Sequence, residues 1–566
     1  MNPNNKKIVI VGGVAGGASC AARARRLAED VQIIVFERGP YVSFANCGLP
    51  YYVGKVIAKE ESLLVATPKM FKEWFNIEVR TYSEVIAVDP FGRLVEVLNK
   101  RTGQTYHESY DNLVIATGAA PLNPPIDGCD LRGVFTLRNI PDTRNIISWI
   151  NEKKVRRTAV VGGGFVGLEM AENLKGLGLD VSIIERLPQV MPPLDGEMAE
   201  LVHDHLQKKG LALYLNREVT AFTTGTDGTI QVNFDSKDQL AVDMVILSVG
   251  VKPEVDLAQK AGLAIGNLGG ILVDECMQTS DRHIYAVGDV VEVKDYLFQV
   301  QRLVPLAGPA NRQGRLAAEA ILANHQKVRK FRGVQATAVC GVMGLTVAAT
   351  GASEKSLIAL AQKGEGHDFE KVYLHPDQHS GYYPNAKTIT LKLIFTKNDG
   401  KILGAQAVGA DGVDKRMDVV AMAIQMGATV FDLEEAELCY APQFGSAKDA
   451  VNLAGMVAAN VLRGDVRLVH WENLDLSRTF VLDVRERAEF NNGHVPGAVN
   501  IPLDRLRQRL YELPQDRDIW VHCYMGKRSY YACRILNQKG FNAYNLSGGI
   551  SMYESVKRSQ KNREKS

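Results

Sequence analysis

The sequence predicts an α/β protein of several domains: two dinucleotide-binding βαβ units come first, and a small separate α/β domain closes the chain. Three observations carry this. A glycine-rich run between a short apolar strand and a helix-forming stretch occurs twice, at Gly12–Gly17 and Gly162–Gly167, and each is followed by a strand ending on an acid, Glu37 and Glu185. A third strand, loop and helix, from Ile519 to Ser529 and beyond, carries a cysteine at its turn. The length of 566 residues exceeds what one core fills and suggests roughly four domains of about 150 residues.

Composition narrows the function classes. Apolar residues make up 46% and charged residues 23%, the soluble globular range. A net charge of +2 gives no strong attraction to nucleic acid or to a membrane surface. Eight cysteines in so long a chain do not make a disulfide scaffold. No apolar run reaches the ~18 residues that span a bilayer. Met1 to Lys7 is polar and leads into the strand Ile8–Val11, with no signal-like apolar segment. A reducing cytoplasm is the expected location.

The first unit runs from the strand Lys7–Val11 through Gly12-Gly13-Val14-Ala15-Gly16-Gly17 into a helix over Ala18–Ala28, then a strand over Gln32–Phe36 ending at Glu37. Small residues let a pyrophosphate approach backbone N–H groups at a helix start, and an acid about 20 residues on takes a ribose hydroxyl. Gly12, Gly13, Ala15, Gly16, Gly17, Glu37 and the adjacent Arg38 are the candidate binders. Val14 stands at the middle glycine of the strict G-x-G-x-x-G pattern. The second unit is cleaner. A strand over Thr158–Val161 leads into Gly162, Gly164 and Gly167 at that spacing, a helix over Leu168–Leu177 follows, and a strand over Asp180–Glu185 ends it. Glu185 suits a free 2′-hydroxyl and repels a 2′-phosphate, which favours NADH; the adjacent Arg186 keeps NADPH as the second candidate.

Between the two units lies Val42-Ser43-Phe44-Ala45-Asn46-Cys47-Gly48-Leu49-Pro50-Tyr51. The placement resembles that in flavoprotein disulfide reductases, which implies a cysteine within reach of a flavin ring. Disulfide reductases of the glutathione reductase kind carry a second cysteine five positions on, where this chain has Tyr52. Cys47 is therefore a one-cysteine redox centre whose sulfur pairs with something brought in: a small thiol, a persulfide or oxygen.

Two such units with a cysteine between them resemble the two-dinucleotide-binding flavoproteins. Val114–Gly118, with Thr117 and Gly118, and Ile246–Gly250 look like that family's crossovers between domains, and Thr279–Asp289 looks like its second FAD motif, with Asp289 on the ribityl chain. The resemblance implies a split FAD domain at 1–123 and 253–327, an NAD(P)H domain at 124–252 and an α+β dimerisation domain at 328–455, the last with strands at Thr388–Phe395 and Leu403–Val408 and a helix at Lys415–Met426. Within the family, the Cys47 segment resembles the coenzyme A disulfide reductases. That implies a Cys47–CoA mixed disulfide with Ser43 and Asn46 beside it, Arg23 and Lys72 on the CoA phosphates, and Tyr382 and Tyr440 of a partner subunit lining the thiol pocket of a homodimer.

After Arg463-Gly464-Asp465 the chain changes character. Phe480–Glu486, Glu489-Phe490, Gly493–Pro502 and Ile519–Ser529 resemble a rhodanese domain, with boundaries at 466–558. Cys523 follows a strand and opens a helix through Tyr524, Met525, Gly526, Lys527, Arg528 and Ser529. Backbone N–H groups and the helix dipole stabilise an anion there, and Lys527 and Arg528 add positive charge; each effect favours a thiolate or a persulfide. His522, His494 and the pair Asp483–Arg485 read as structural, Cys533 and Cys439 as packing, and Lys557–Ser566 as a disordered polar tail.

Joined, the two halves resemble NADH-dependent persulfide or polysulfide reductases, with FAD, NADH and CoA as cofactors, small sulfane-sulfur donors as partners and no metal. The alternatives are a CoA disulfide reductase with an accessory rhodanese, an NADH oxidase cycling Cys47 through a sulfenic acid, and a non-catalytic sulfur carrier or redox sensor. Peroxidases of this family carry a histidine in the first glycine loop, where this chain has Ala15.

Overall fold

The strand Lys7–Val11 buries Ile8, Val9 and Ile10 completely, as a parallel strand covered on both faces requires. In the computed structural model, which describes residues 6–236, 238–323 and 328–564, it is the central one of five parallel strands. Their order is Ile284–Ala286, Asn112–Ile115, Lys7–Val11, Gln32–Glu37 and Glu78–Thr81. Helix Ala15–Leu27 packs beside helix Ala307–Leu322. It begins three residues before the expected Ala18, because the small residues of the glycine run are themselves helical. The strands Asn112–Ile115 and Met244–Leu247 pass through Gly118 and Gly250 into an antiparallel pair, Ala119–Pro121 with Val251–Pro253, at the positions expected for the crossovers.

These elements belong to the first of two compact units, formed by the chain up to Gly162 with 173–181 and 219–336. The second unit is formed by 163–172, 182–218 and the chain from Thr337 onward. It contains five antiparallel strands in the order Ala338–Val342, Leu345–Gly351, Ile402–Gly409, Ile389–Thr396 and Phe369–Leu374. The two strands expected here lie within one residue of their sequence positions, and helix Val413–Met426 starts two residues early. A parallel sheet follows, in the order Leu468–Val469, Ala543–Leu546, Ile519–His522, Phe480–Asp483 and Val499–Asn500. Its core holds Leu482, Ile519, Val521, Ala532 and Leu536.

One buried ionic cluster ties this second unit together. Carboxylate oxygens of Asp195, Glu197 and Glu354 lie within 4.8 Å of one another. Lys392 Nζ, fully buried, sits among them at 2.8, 2.6 and 2.8 Å, and Tyr373 Oη donates to Glu197 at 2.9 Å. Charges this deep persist only when paired.

Two expectations fail. The chain from Lys557 is no disordered tail as far as Glu564: helix Ile550–Glu564 runs through it and packs on helix Gly196–Lys208. Arg558 reaches Asp204 at 2.6 Å and Glu200 at 3.5 Å, and Asn562 donates to Glu200 at 2.8 Å. The segment's composition shows its polarity but not the acids waiting on a helix more than 340 positions earlier. Residues 565 and 566 lie outside the described residues. Cys439, expected to pack, is exposed, since it lies in the loop that carries Tyr440.

Candidate functional site

In the first unit a cavity of about 870 Å³ opens over the first glycine loop, and its wall includes Gly12, Ala15, Gly16, Glu37, Arg38, Thr117, Gly118 and Asp289. Gly12 is held at φ +100°, and a Cβ on it would fall 2.2 Å from Ala116 O, so the turn accepts no side chain. Gly13 and Gly17 fix the shape of the loop itself. Gly13 N–H donates to Glu37 Oε2 at 3.1 Å, and Gly17 lets its helix close on Gly12 O, 1.9 Å from where a Cβ would stand. Glu37 also accepts from Gly39 N at 2.8 Å, so the acid is aimed by two backbone donors.

The remaining wall is ionic. Arg38 Nη2 donates to both oxygens of Glu254 at 3.0 and 2.9 Å, Arg138 reaches the same carboxylate at 2.8 Å, and Thr117 Oγ1 donates to Glu254 O at 2.8 Å. Burial pushes the Asp289 carboxyl up, with Arg138 opposing. A helix start with open N–H groups, an aimed acid and a polar far wall form the donor set that a flavin adenine dinucleotide needs, in a volume of the right class.

Cys47 is exposed, on the one-turn helix Asn46–Gly48 that leads into helix Leu49–Val53. The segment that leads into the turn is anchored on two sides. Ser43 N–H donates to Gly13 O at 2.8 Å, while Ala45 N–H donates to Leu63 O and Val65 N–H to Ser43 O, at 2.8 and 2.9 Å. Below it Leu49, Leu63 and Ile140 form a small buried cluster. Asn46 lines the cavity; Ser43 sits at the turn's start in the left-handed region, φ +47°. Arg23 and Lys72 lie outside the cavity wall. Arg23 donates to Glu319 at 3.1 and 2.8 Å, and Arg329 and Arg315 share that carboxylate, so three cations surround one anion. That excess suits a phosphate, and the sequence reading missed two of its members. Lys72 is exposed and donates to Asn76 Oδ1 at 2.9 Å.

The second glycine loop repeats the first. Gly162 has φ +110°, and Gly163 N–H donates to Glu185 Oε2 at 2.7 Å, as Gly13 does to Glu37. Gly164 has open space where a Cβ would stand, and Gly167 lies in helix Phe165–Gly176. Glu185 also accepts from Leu187 N at 2.8 Å; Arg186 lies 3.8 Å from Glu218.

In the second unit Tyr382 and Tyr440, both exposed, meet hydroxyl to hydroxyl at 2.8 Å. The hydrogen bond pulls Tyr382 below and pushes Tyr440 above the usual tyrosine value. Their two loops are stapled together. Ser380 N and Oγ both donate to Gly445 O, at 2.9 and 3.1 Å. The buried Arg416 pairs with Asp449 at 2.6 Å and donates to Gln378 O at 2.6 Å. Tyr383 takes no part in that pair; its ring meets His379 edge-on at 5.4 Å.

Cys523 sits at the C-terminal end of strand Ile519–His522, 1% exposed, with Gly526 opening helix Lys527–Gln538. Its Sγ accepts from one backbone donor, Gly526 N–H at 3.1 Å, and from the Ser529 hydroxyl at 3.5 Å. Arg528, expected to add charge, is instead held by Glu489 through two bonds of 2.6 and 2.7 Å; Lys527 is exposed. Asp483 and Arg485 form a buried pair at 2.6 Å. Burial lowers His522 to about 4, so it is neutral. His494 stacks on Phe490, and Cys533 is buried in the domain core.

Residues 6–314 match the family described as pyridine nucleotide-disulphide oxidoreductase, more than half of the chain. The chain belongs to that family. Residues 337–451 match the dimerisation domain of the same oxidoreductases, and 469–555 a rhodanese-like domain. A Staphylococcus haemolyticus protein named coenzyme A disulfide reductase is 35% identical over 456 residues, 81% of this chain and 100% of that one. The crystal structure of reduced Bacillus anthracis CoADR-RHD is similar with a TM-score of 0.94 at 46% identity, covering 98% of each chain. A NAD-dependent persulfide reductase from A. fulgidus follows with a TM-score of 0.89 at 37% identity, over 97% of this chain and 100% of that one. This oxidoreductase therefore carries its redox module and a rhodanese-like module in one chain. Among its described residues no helix is long and apolar enough to cross a membrane.

Proposed function

We propose that the chain is an NADH-dependent reductase that delivers electrons to Cys47 and releases hydrosulfide from persulfides, with Cys523 collecting sulfane sulfur. One observation carries the reading: an exposed cysteine stands on a turn anchored to the first glycine loop, and its neighbour Asn46 lines the same cavity as that loop. FAD, when bound there, supplies the two-electron link between NADH and sulfur. Gly12, Ala15 and Gly16 would cradle its pyrophosphate, Glu37 a ribose and Asp289 the ribityl chain. Gly162, Gly164 and Gly167 would hold NADH, with Glu185 repelling a 2′-phosphate; Arg186, drawn toward Glu218, leaves that preference standing, and NADPH is the second choice.

Cys47 rests in a disulfide with CoA, whose phosphates are held by Arg23 and Lys72. Two electrons break that S–S bond into two thiolates. When the CoA sulfur then carries a persulfide, Cys47 thiolate attacks the sulfur bonded to CoA, the Cys47–CoA disulfide forms again and the outer sulfur leaves as hydrosulfide. Ser43 and Asn46 flank the reacting thiol. In a homodimer Tyr382 and Tyr440 of one protomer line the thiol pocket of the other, and their shared proton serves the departing sulfur. Cys523 takes the outer sulfur of a donor R–S–SH, R–S⁻ departs, and the Cys523 persulfide rests under Gly526 N–H until its sulfur passes to CoA or to Cys47. Such thiol chemistry fits a reducing cytoplasm.

The test separates the two cysteines. Cys47→Ser should still reduce artificial dyes with NADH and lose turnover of CoA disulfide and persulfide. Cys523→Ser should lose sulfurtransferase activity and keep CoA disulfide reduction. Persulfide turnover surviving in Cys47→Ser would remove Cys47 from the mechanism. NADH consumption by oxygen alone, with no thiol substrate turned over, would favour an oxidase.

A further inference from the structure

The loop Cys523–Ser529 carries two adjacent cations, yet they differ in availability. Lys527 is exposed. Arg528 is engaged fork to fork by Glu489, Nη1 to Oε2 at 2.6 Å and Nη2 to Oε1 at 2.7 Å. Glu489 is itself aimed: it occupies the third position of helix Arg487–Asn491, and its Oε2 accepts from Glu486 N–H at 3.1 Å in a capping box. The guanidinium also interacts with Cys523, so the neutralised cation is one that stands beside the thiol. The loop's other side chains toward solvent are Tyr524, 51% exposed, and the half-buried Met525. The Cys523 loop thus offers mainly apolar surface and one lysine that, among the described residues, has no ion-pair partner.

We propose that Glu489 sets the donor charge that Cys523 accepts, favouring monoanionic persulfides of uncharged thiols over dianionic thiosulfate. The inference rests on Cys523 as the sulfur acceptor. With a persulfide, Cys523–S⁻ attacks the outer sulfur of R–S–S⁻, the sulfur–sulfur bond of the donor breaks, and R–S⁻ leaves. With thiosulfate the same attack breaks the sulfur–sulfur bond and expels sulfite carrying two charges. The sulfane sulfur changes hands in both, and no outside oxidant or reductant is consumed. The second negative charge of thiosulfate requires a cation that Glu489 already occupies.

The experiment uses the full chain without NADH and follows persulfide formation on the Cys523 peptide by mass spectrometry, at low concentrations of thiosulfate or of N-acetylcysteamine persulfide. Glu489→Gln keeps an oxygen for the Glu486 N–H but frees the Arg528 charge. It should raise the thiosulfate rate roughly fivefold, in keeping with one partly exposed ion pair, and leave the persulfide rate within about twofold. The gain should shrink as salt is added and vanish in the double variant Glu489→Gln, Arg528→Gln. An unchanged thiosulfate rate, or an equal rise with both donors, would overturn the role given to Glu489. A native chain that forms no persulfide on Cys523 with either donor would sink the role given to Cys523 itself.

Discussion

His522, next to the reactive Cys523, is pushed to about 4 by burial, with Asp483 opposing, and His375 likewise falls to about 4 through burial, with the bond to Gly548 O opposing. Both folded values lie below the ordinary 6.5. As pH falls, the unfolded chain takes up these protons first, so stability present above pH 6.5 drains away toward pH 4. His375→Gln should remove about 2 kcal/mol of the stability difference between pH 7 and pH 4.5, read by denaturant unfolding at each pH. An identical difference in both proteins would mean that His375 does not titrate in that window. At this scale the sequence was legible wherever the chemistry is local. Glu37, Glu185, Cys47 and Cys523 declare themselves by spacing from glycines and strands. Glu254 and Glu489 did not, because their partners Arg38 and Arg528 stand 216 and 39 positions away.

Among the elements, the edge strand Phe369–Leu374 has the most to say about the rhodanese-like domain. Glu370 meets His470 at 2.8 Å, Lys371 pairs with Glu472, Tyr373 N–H donates to Ser547 Oγ at 3.2 Å, and His375 Nε2 bonds to Gly548 O at 3.0 Å. An edge strand is thereby covered rather than left open. The turn it supports backs the Cys523 loop: Ile550 N–H donates to Cys523 O at 2.8 Å and Ser551 N–H to Tyr524 O at 3.1 Å. Gly549 there has φ +63°, and a Cβ would fall 2.5 Å from Tyr524 O. Gly549→Ala should therefore slow persulfide formation on Cys523 more than tenfold while NADH-dependent CoA disulfide turnover changes little. Parallel losses in both assays would show the turn supporting the whole unit. The strands and glycine loops were readable from periodicity and turn chemistry. The helix Ile550–Glu564 was not, since its stabilising acids belong to another helix.

At the scale of the molecule, Lys392 is the residue whose loss reaches furthest. It joins the sheet to Asp195 and Glu197 on one side and to helix Glu354–Gln362 on the other. Lys392→Met would leave Asp195 and Glu197 buried without the ammonium that pairs them, Glu354 keeping Lys371 at 2.6 Å, and should lower stability by about 3–5 kcal/mol, seen as a fall in the denaturant midpoint. A loss under about 1 kcal/mol would mean that water or protonation compensates the cluster. By itself the sequence determined the modules and their order: two glycine loops with their acids, a single redox cysteine, and a cysteine cradle opening a helix. Those follow from contacts within about 30 residues, which spacing and periodicity record. Only the tertiary structure decided which charges remain available. It gave Arg528 to Glu489, joined Tyr382 to Tyr440, and turned a polar tail into a docked helix. The reason is physical: a side chain's charge and reach are set by the neighbour that desolvates or pairs with it, and folding brings that neighbour from anywhere along the chain.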